Sequence, residues 1–171
     1  MTLLAYQVGN EVSLAELGSQ LGLSKNTVEK YIDLLSKVFV IYRLGGYSNN
    51  LRKEISKNSK WYFYDNGIRN ALVGNFNPLA IRQDTGLLWE NYLISERMKK
   101  KLYHSELTDF YFWRTYDGQE IDLIESNADS LKAFEIKWKD KKIKVPGAWQ
   151  KNYPEATFNT ITPENYLTWI L

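Results

Sequence analysis

A chain of 171 residues with a formal net charge of +2, 44% apolar and 25% charged, is long enough to bury a real core and too apolar to be disordered. No apolar run approaches the ~20 residues of a membrane-spanning helix, and MTLLAYQVGNEV is too short in its apolar part, reaching Glu11 too early, for a signal peptide. The absence of cysteine removes disulfides, thiolate catalysis and thiolate metal sites together, and a cytoplasmic address is the default expectation.

Leu3 to Tyr6 reads as the end of a helix closed by Gly9-Asn10, so the natural chain is expected to begin earlier. Ser13, with Glu16 three residues on, forms a capping box for a helix from Leu14 to about Leu21, with Leu14, Leu17 and Leu21 on one stripe. Gly22-Leu23 breaks it. Ser24 then caps a second helix that turns Val28, Tyr31, Ile32 and Leu35 inward, and two short capped helices about a glycine turn resemble a helix-turn-helix. Val38 to Leu44 reads as a strand, residues 45–59 are polar and basic, and Lys60 to Tyr64 is a second strand. That order resembles a winged helix with its wing near Ser48 to Asn58. In DNA-binding members of that architecture the second helix enters the major groove. Lys25, Asn26, Thr27 and Lys30 would then meet base edges, and Arg52 and Lys53 phosphates. The competing reading is a protein–protein spacer, because Glu29 and Asp33 dilute the positive face.

Ile68 to Val73 is expected to be a short helix, and the loop-like stretch 74–83 sets a boundary between domains at 1–75 and 76–171. Asp84 or Thr85 caps a long helix to about Leu102, with Leu87, Asn91, Ile94, Met98 and Leu102 as its stripe. Glu90 lies at the edge of that stripe, as a site residue or as an ordinary partner of Arg97 or Lys101. Residues 109–139 alternate like paired strands, with a turn at Asp117-Gly118. Glu120 and Asp122 share one strand face, as do Glu135 and Lys137, while Phe134, Ile136 and Trp138 take the other. Three carboxylates and an ammonium on one side of a sheet repel unless positive groups neutralise them, which makes the cluster a candidate metal site. Glu120 has a second option, an ion pair with Arg114. Pro146 opens a short helix to Tyr153, Ala156 to Thr162 is a strand, and Tyr166 to Leu171 reads as one more. The class is α+β. His104 is read as a surface or capping residue, and with no phosphate-binding glycine motif the chain carries no nucleotide site.

A helix glutamate, a strand aspartate and E-x-K on the next strand resemble the PD-(D/E)XK nuclease fold, here an αβββαβ domain following the winged helix. The matching residues are Glu90, Asp122, Glu135 and Lys137, with Ile136 supplying a backbone carbonyl. Hard oxygen ligands suit Mg²⁺ or Mn²⁺. The resemblance implies that Asp122 and Glu135 hold the metal, that Glu90 is an outer or second-metal ligand, and that Lys137 orients the water. The order LLAYQVGNEVSLAELGSQLGLSKNTVEKYIDLL, KWYFYDNGIRNAL, GLLWENYLISE, FYFWRTYDGQEIDLI and FEIKW is similar to the C-terminal region of a group of prokaryotic AAA-type ATPases. That similarity implies a preceding ATPase module, which would be this region's partner and carry any ATP binding. Two readings follow. The first is a nucleic-acid- or partner-binding region whose nuclease-like domain is degenerate. The second is an active Mg²⁺- or Mn²⁺-dependent nuclease using Asp122, Glu135 and Lys137. A plain transcription regulator ranks below both, since it has no use for the acidic cluster.

Overall fold

The computed structural model describes residues 1–48, 59–139 and 143–171. The chain is mixed α+β, with seven strands and seven α-helices among those residues. It forms two compact units, residues 1–44 with 56–95, and residues 45–55 with 96–171.

The first unit starts with α1 (Thr2–Tyr6), β1 (Glu11–Val12), α2 (Leu14–Leu21) and α3 (Lys25–Lys37). The Oγ of Ser13 accepts from the Glu16 amide, Gly22 closes α2 at φ 65°, and the Oγ of Ser24 accepts from the Thr27 amide. These caps set both helices at the boundaries their sequence signals predict. The buried stripe is narrower than expected. Only Leu17 of α2, besides Gly18, and Val28 and Ile32 of α3 are buried, and Tyr31 is 61% exposed. Tyr31 lies ~100° around the helix from Ile32, enough to carry it off the core line.

The strand expected from Val38 begins instead at Ile41, as β2 (Ile41–Gly46). Although Val38 and Phe39 have strand-like composition, they are taken up in ending α3. The Val38 amide bonds to the Leu34 carbonyl, Phe39 to Ser36, and Val40 to Leu35. Helix ends leave carbonyls that need such donors, and Phe39 supplies one in the left-handed region, at φ 57°. Residues 41–44 then pair antiparallel with β3 (Ser59–Phe63), from Ile41↔Phe63 to Leu44↔Lys60, and β1 lies along the other edge of β3. Most of the expected wing, with Arg52 and Lys53, lies outside the described residues. Next comes α4 (Asn66–Val73), two residues earlier than composition suggests, because Asp65 Oδ1 accepts from the amides of Gly67 and Ile68.

The last part of this unit is the start of α5 (Thr85–Tyr103), a helix that continues into the second unit. Its inward face is polar as well as apolar. Asn91 meets β3 like a strand partner, Oδ1 accepting from the Phe63 amide at 2.8 Å and Nδ2 donating to the Phe63 carbonyl at 2.9 Å. Ser95 also donates to that carbonyl. Leu102, expected on the buried stripe, is 76% exposed.

One carboxylate ties α1, α4 and the entry to α5 together. Buried Arg69 on α4 donates to the Ala5 carbonyl at 3.0 Å and to Asp84. Arg82 grips Asp84 through two nitrogens, at 2.8 and 2.9 Å, and reaches the Asn75 carbonyl and Asn70. The Arg82 hydrogen bonds, outweighing burial and aided by Arg69, hold the Asp84 carboxyl well below the usual carboxylate range. A depressed folded-state pKa stabilises above the unfolded value and loses that contribution as pH falls toward the folded one. Urea unfolding of Asp84→Asn against wild type is therefore expected to show a stability gap that is full at pH 7. The gap should begin to shrink below about pH 4 and keep shrinking to the lowest pH at which the fold survives.

In the second unit, β4 (Asp109–Arg114), β5 (Glu120–Ser126), β6 (Leu131–Ile136) and β7 (Thr157–Ile161) lie in that order, antiparallel, antiparallel and then parallel. Gly45 and Gly46, the end of β2, pair parallel with Tyr111 and Phe112 on the free side of β4. The β4–β5 turn falls at Asp117-Gly118 as predicted, with Gly118 at φ 85° and the Thr115 amide bonded to the Gln119 carbonyl. A register shift between Tyr111 and Trp113 brings Ile121 and Ile124, three apart, into one core cluster. Trp113, Ala133, Trp149 and Tyr153 complete that cluster. The parallel β6–β7 pair is joined through α6 (Gly147–Asn152), which contributes Trp149. The C-terminal strand expected over 166–171 is instead a helical turn, α7 (Tyr166–Ile170). The Thr162 carbonyl receives the amides of both Asn165 and Tyr166, and that turn commits the segment to helix with Trp169 facing inward. No helix among the described residues is long and apolar enough to cross a membrane.

Candidate functional site

The antiparallel register of β5 and β6 runs from Ser126↔Leu131 to Leu123↔Phe134. Beyond it, the Ile136 amide donates not to a backbone carbonyl but to Asp122 Oδ2, at 2.8 Å. A side-chain carboxylate thus does a strand's work and is fixed in the sheet by it. The Lys137 amide bonds to the Ile161 carbonyl of β7, which sets where that side chain starts. Lys137 Nζ then sits 2.6 Å from Glu135 Oε1 and 3.5 Å from Asp122 Oδ2. Asp122 is 7% exposed, and the Glu135 side chain is nearly as enclosed. The Glu135 carboxyl is pushed up, first by burial and then by the Asp122 charge, with Lys137 pulling the other way and Glu120 adding a smaller push. Two enclosed carboxylates therefore share one cation, and that cation is the lysine ammonium.

Asp122, Glu135 and Lys137 are brought together as the strand pattern predicts, with Phe134 and Ile136 buried behind them. Glu120 takes its second option, 3.8 Å from Arg114 Nε. No three His, Cys, Asp or Glu side chains form a metal-binding group among the described residues. The donor set still fits a hard divalent ion held by two carboxylates that keeps water in the rest of its shell, a common arrangement for Mg²⁺.

Glu90 belongs to the first unit. Its Oε1 accepts from the Tyr62 hydroxyl at 2.7 Å and lies 3.9 Å from buried Lys60 Nζ. Gly9, at φ 73°, packs against it, and a Cβ there would come within 3.1 Å of Glu90 Oε1. Arg97 and Lys101, the partners that helix spacing offered it, pair with Glu125 instead. Arg97 Nε and Nη2 reach the two Glu125 oxygens at 2.5 and 3.0 Å, while Nη1 donates to the Trp169 carbonyl. Lys101 Nζ lies 4.0 Å from Glu125 and also pairs with Glu106. Sequence reasoning missed this network. The signal was Glu125, out of step with the alternating Glu120 and Asp122 of β5, together with two cations one turn apart on α5.

On α3, Lys25, Asn26 and Lys30 are exposed and Thr27 is half-buried, its hydroxyl bonded to that of Ser24. Lys25 pairs with Glu29 at 3.2 Å and Lys37 with Asp33 at 2.7 Å, so much of that face is internally neutralised. The neighbouring flank is apolar and exposed, with Leu34 at 55% and Val38 at 56%.

Residues 1–79 match the model of a domain of unknown function (DUF8612), and residues 85–155 that of a second domain of unknown function (DUF4143). Asp122, Glu135 and Lys137 fall in the second match. The chain is 30% identical over 138 residues to an uncharacterized protein of Mycobacterium tuberculosis, covering 80% of this chain and 30% of that protein. It is 27% identical over 142 residues to an uncharacterized protein of Haemophilus influenzae, covering 78% of this chain and 32% of that one. The chain thus spans about 30% of the length of these curated relatives. No solved structure matches it.

Removing one partner of a buried ion pair strands the other. Arg97→Met is expected to cost roughly 3 kcal/mol in urea unfolding, and Arg97→Met with Glu125→Gln clearly less than the sum of the two single changes. Additive costs would mean that the pair is not energetically coupled.

Proposed function

We propose that this chain is part of a longer nucleic-acid-processing protein whose second unit is a PD-(D/E)XK-like phosphodiesterase dependent on a divalent cation. The observation that carries the reading is the convergence of two enclosed carboxylates on adjacent strands, Asp122 and Glu135, with the Lys137 ammonium within 3.5 Å of each. Carboxylates held that close need a positive charge, and a phosphodiester needs the same positive charge at its non-bridging oxygen.

Asp122 and Glu135 would hold the cation, and the Ile136 amide fixes the Asp122 rotamer through its bond to Oδ2. A bound Mg²⁺ or Mn²⁺ supplies Lewis-acid polarisation of the phosphoryl group and stabilises the departing alkoxide. Lys137 orients the attacking water and offsets the charge that builds on the phosphate. In the hydrolysis the water oxygen bonds to phosphorus as the P–O ester bond breaks. The water's proton passes to solvent, and the leaving alkoxide takes one from solvent. The first unit, with its two capped helices and following antiparallel pair, is read as a winged helix that engages DNA or a protein partner. The resemblance to prokaryotic AAA-type ATPases, together with relatives about three times as long, supports an ATPase module elsewhere in the same protein. A binding-only reading is favoured by one observation, that no third acidic ligand joins Asp122 and Glu135 among the described residues.

Incubation with single- and double-stranded DNA and Mn²⁺ is expected to give cleavage that falls at least about 100-fold in Asp122→Ala and in Lys137→Ala. Cleavage that survives both changes rejects the assignment. If wild type does not cleave but binds DNA with an affinity that falls steeply with salt, the binding-only reading takes its place.

A further inference from the structure

The Lys137 ammonium stands where a cation shared by Asp122 and Glu135 would stand, 2.6 Å from one carboxylate and 3.5 Å from the other. We propose that Lys137 is a resident counter-ion that a divalent metal must displace, and that this competition sets which cations enter the site. The inference rests on the cation site proposed above and adds a second role for the lysine, distinct from orienting water.

The backbone of Lys137 is pinned to β7 by its amide bond to Ile161, but its side chain is about one-third exposed. A four-carbon stem rooted at a fixed point and open to solvent can swing its ammonium out without moving the sheet. A monovalent ion entering the cluster brings no more charge than the ammonium it replaces, and must also shed water. A divalent ion doubles the neutralising charge between two enclosed carboxylates, so it alone gains from the exchange. Once displaced, the ammonium remains tethered beside the cluster, where a phosphate or its attacking water would lie. On this view the uncharged variant binds metal better while processing substrate worse. A lysine that served only to position water would leave metal affinity unchanged.

The discriminating measurement is direct Mn²⁺ binding, followed by the electron paramagnetic resonance signal of free Mn²⁺ or by calorimetry, with no substrate present. Lys137→Met is expected to lower the Mn²⁺ Kd by roughly tenfold, a common size for the effect of one unit charge on a neighbouring carboxylate. Lys137→Arg, which keeps the charge, should stay within about threefold of wild type, and Asp122→Asn should weaken binding. If Lys137→Met does not fold, Lys137→Gln removes the same charge with a polar end. Mn²⁺ bound no more tightly by the neutral variants than by wild type, while Asp122→Asn still weakens it, overturns the counter-ion role and leaves the metal site standing. Absence of Mn²⁺ binding at millimolar concentration in wild type and neutral variants alike overturns both.

Discussion

The hydrogen bond from the Ile136 amide to Asp122 Oδ2 is the constraint on which the candidate site depends. It sits where the β5–β6 ladder stops, and it satisfies a backbone donor that burial would otherwise leave costly. Because it uses one carboxylate oxygen, it fixes the other in direction. Glu135, on the neighbouring strand, has no comparable backbone donor among its described bonds, and burial and then the Asp122 charge push its carboxyl up. Two carboxylates therefore face a single ammonium, one of them fixed by a backbone amide.

Two other enclosed carboxylates are held differently. Asp84 receives two arginines, which bind α4 to the entry of α5 and pull its carboxyl far down. Glu125 receives Arg97 through both oxygens, with Lys101 close by, and Arg97 is further covered by the Trp169 and Phe134 rings at 5.1 and 5.9 Å. In both, cationic groups equal or outnumber the carboxylate and polar geometry is saturated, the condition under which buried charge is tolerable. At Asp122 and Glu135 the ratio is reversed, two anions to one cation. A buried excess of one sign is expensive to keep in a purely structural role, and that contrast sets this cluster apart from the Asp84 and Glu125 networks.

Local signals made much of this legible. Ser13, Ser24 and Asp117-Gly118 each state a cap or a turn in chemistry that acts over three or four residues, and each landed where it was read. The period-two pattern of β5 and β6 brought Asp122, Glu135 and Lys137 together for the same reason. Misreadings fell where composition competed with a neighbouring requirement. Val38 and Phe39 look like strand but are needed to close α3, and Tyr166 to Ile170 look like strand but follow a turn organised on the Thr162 carbonyl. The polar inner face of α5 was harder still. Asn91 and Ser95 are buried because they bond to the Phe63 backbone, a demand made by a strand more than twenty residues away in sequence.

Under the DNA-binding reading, the charge count along the sequence differs between α3 and the segment that follows β2. On α3, Lys25, Lys30 and Lys37 face Glu29 and Asp33, a sum of +1, and two of the three lysines are already committed to those acids. Residues 49–58 carry Arg52, Lys53 and Lys57 against Glu54, a sum of +2. A helix whose cations are tied by i,i+4 pairs must break weak pairs, worth a few tenths of a kcal/mol each, to reach a phosphate. That cost would weaken DNA contact by α3 without forbidding it, and on charge alone Arg52, Lys53 and Lys57 would then carry more of any salt-sensitive binding. The exposed Tyr31, Leu34 and Val38 flank gives α3 an apolar surface that phosphate contact leaves unused. Lys30, one turn before Leu34, borders that flank, whereas Lys25 lies well around the helix from it.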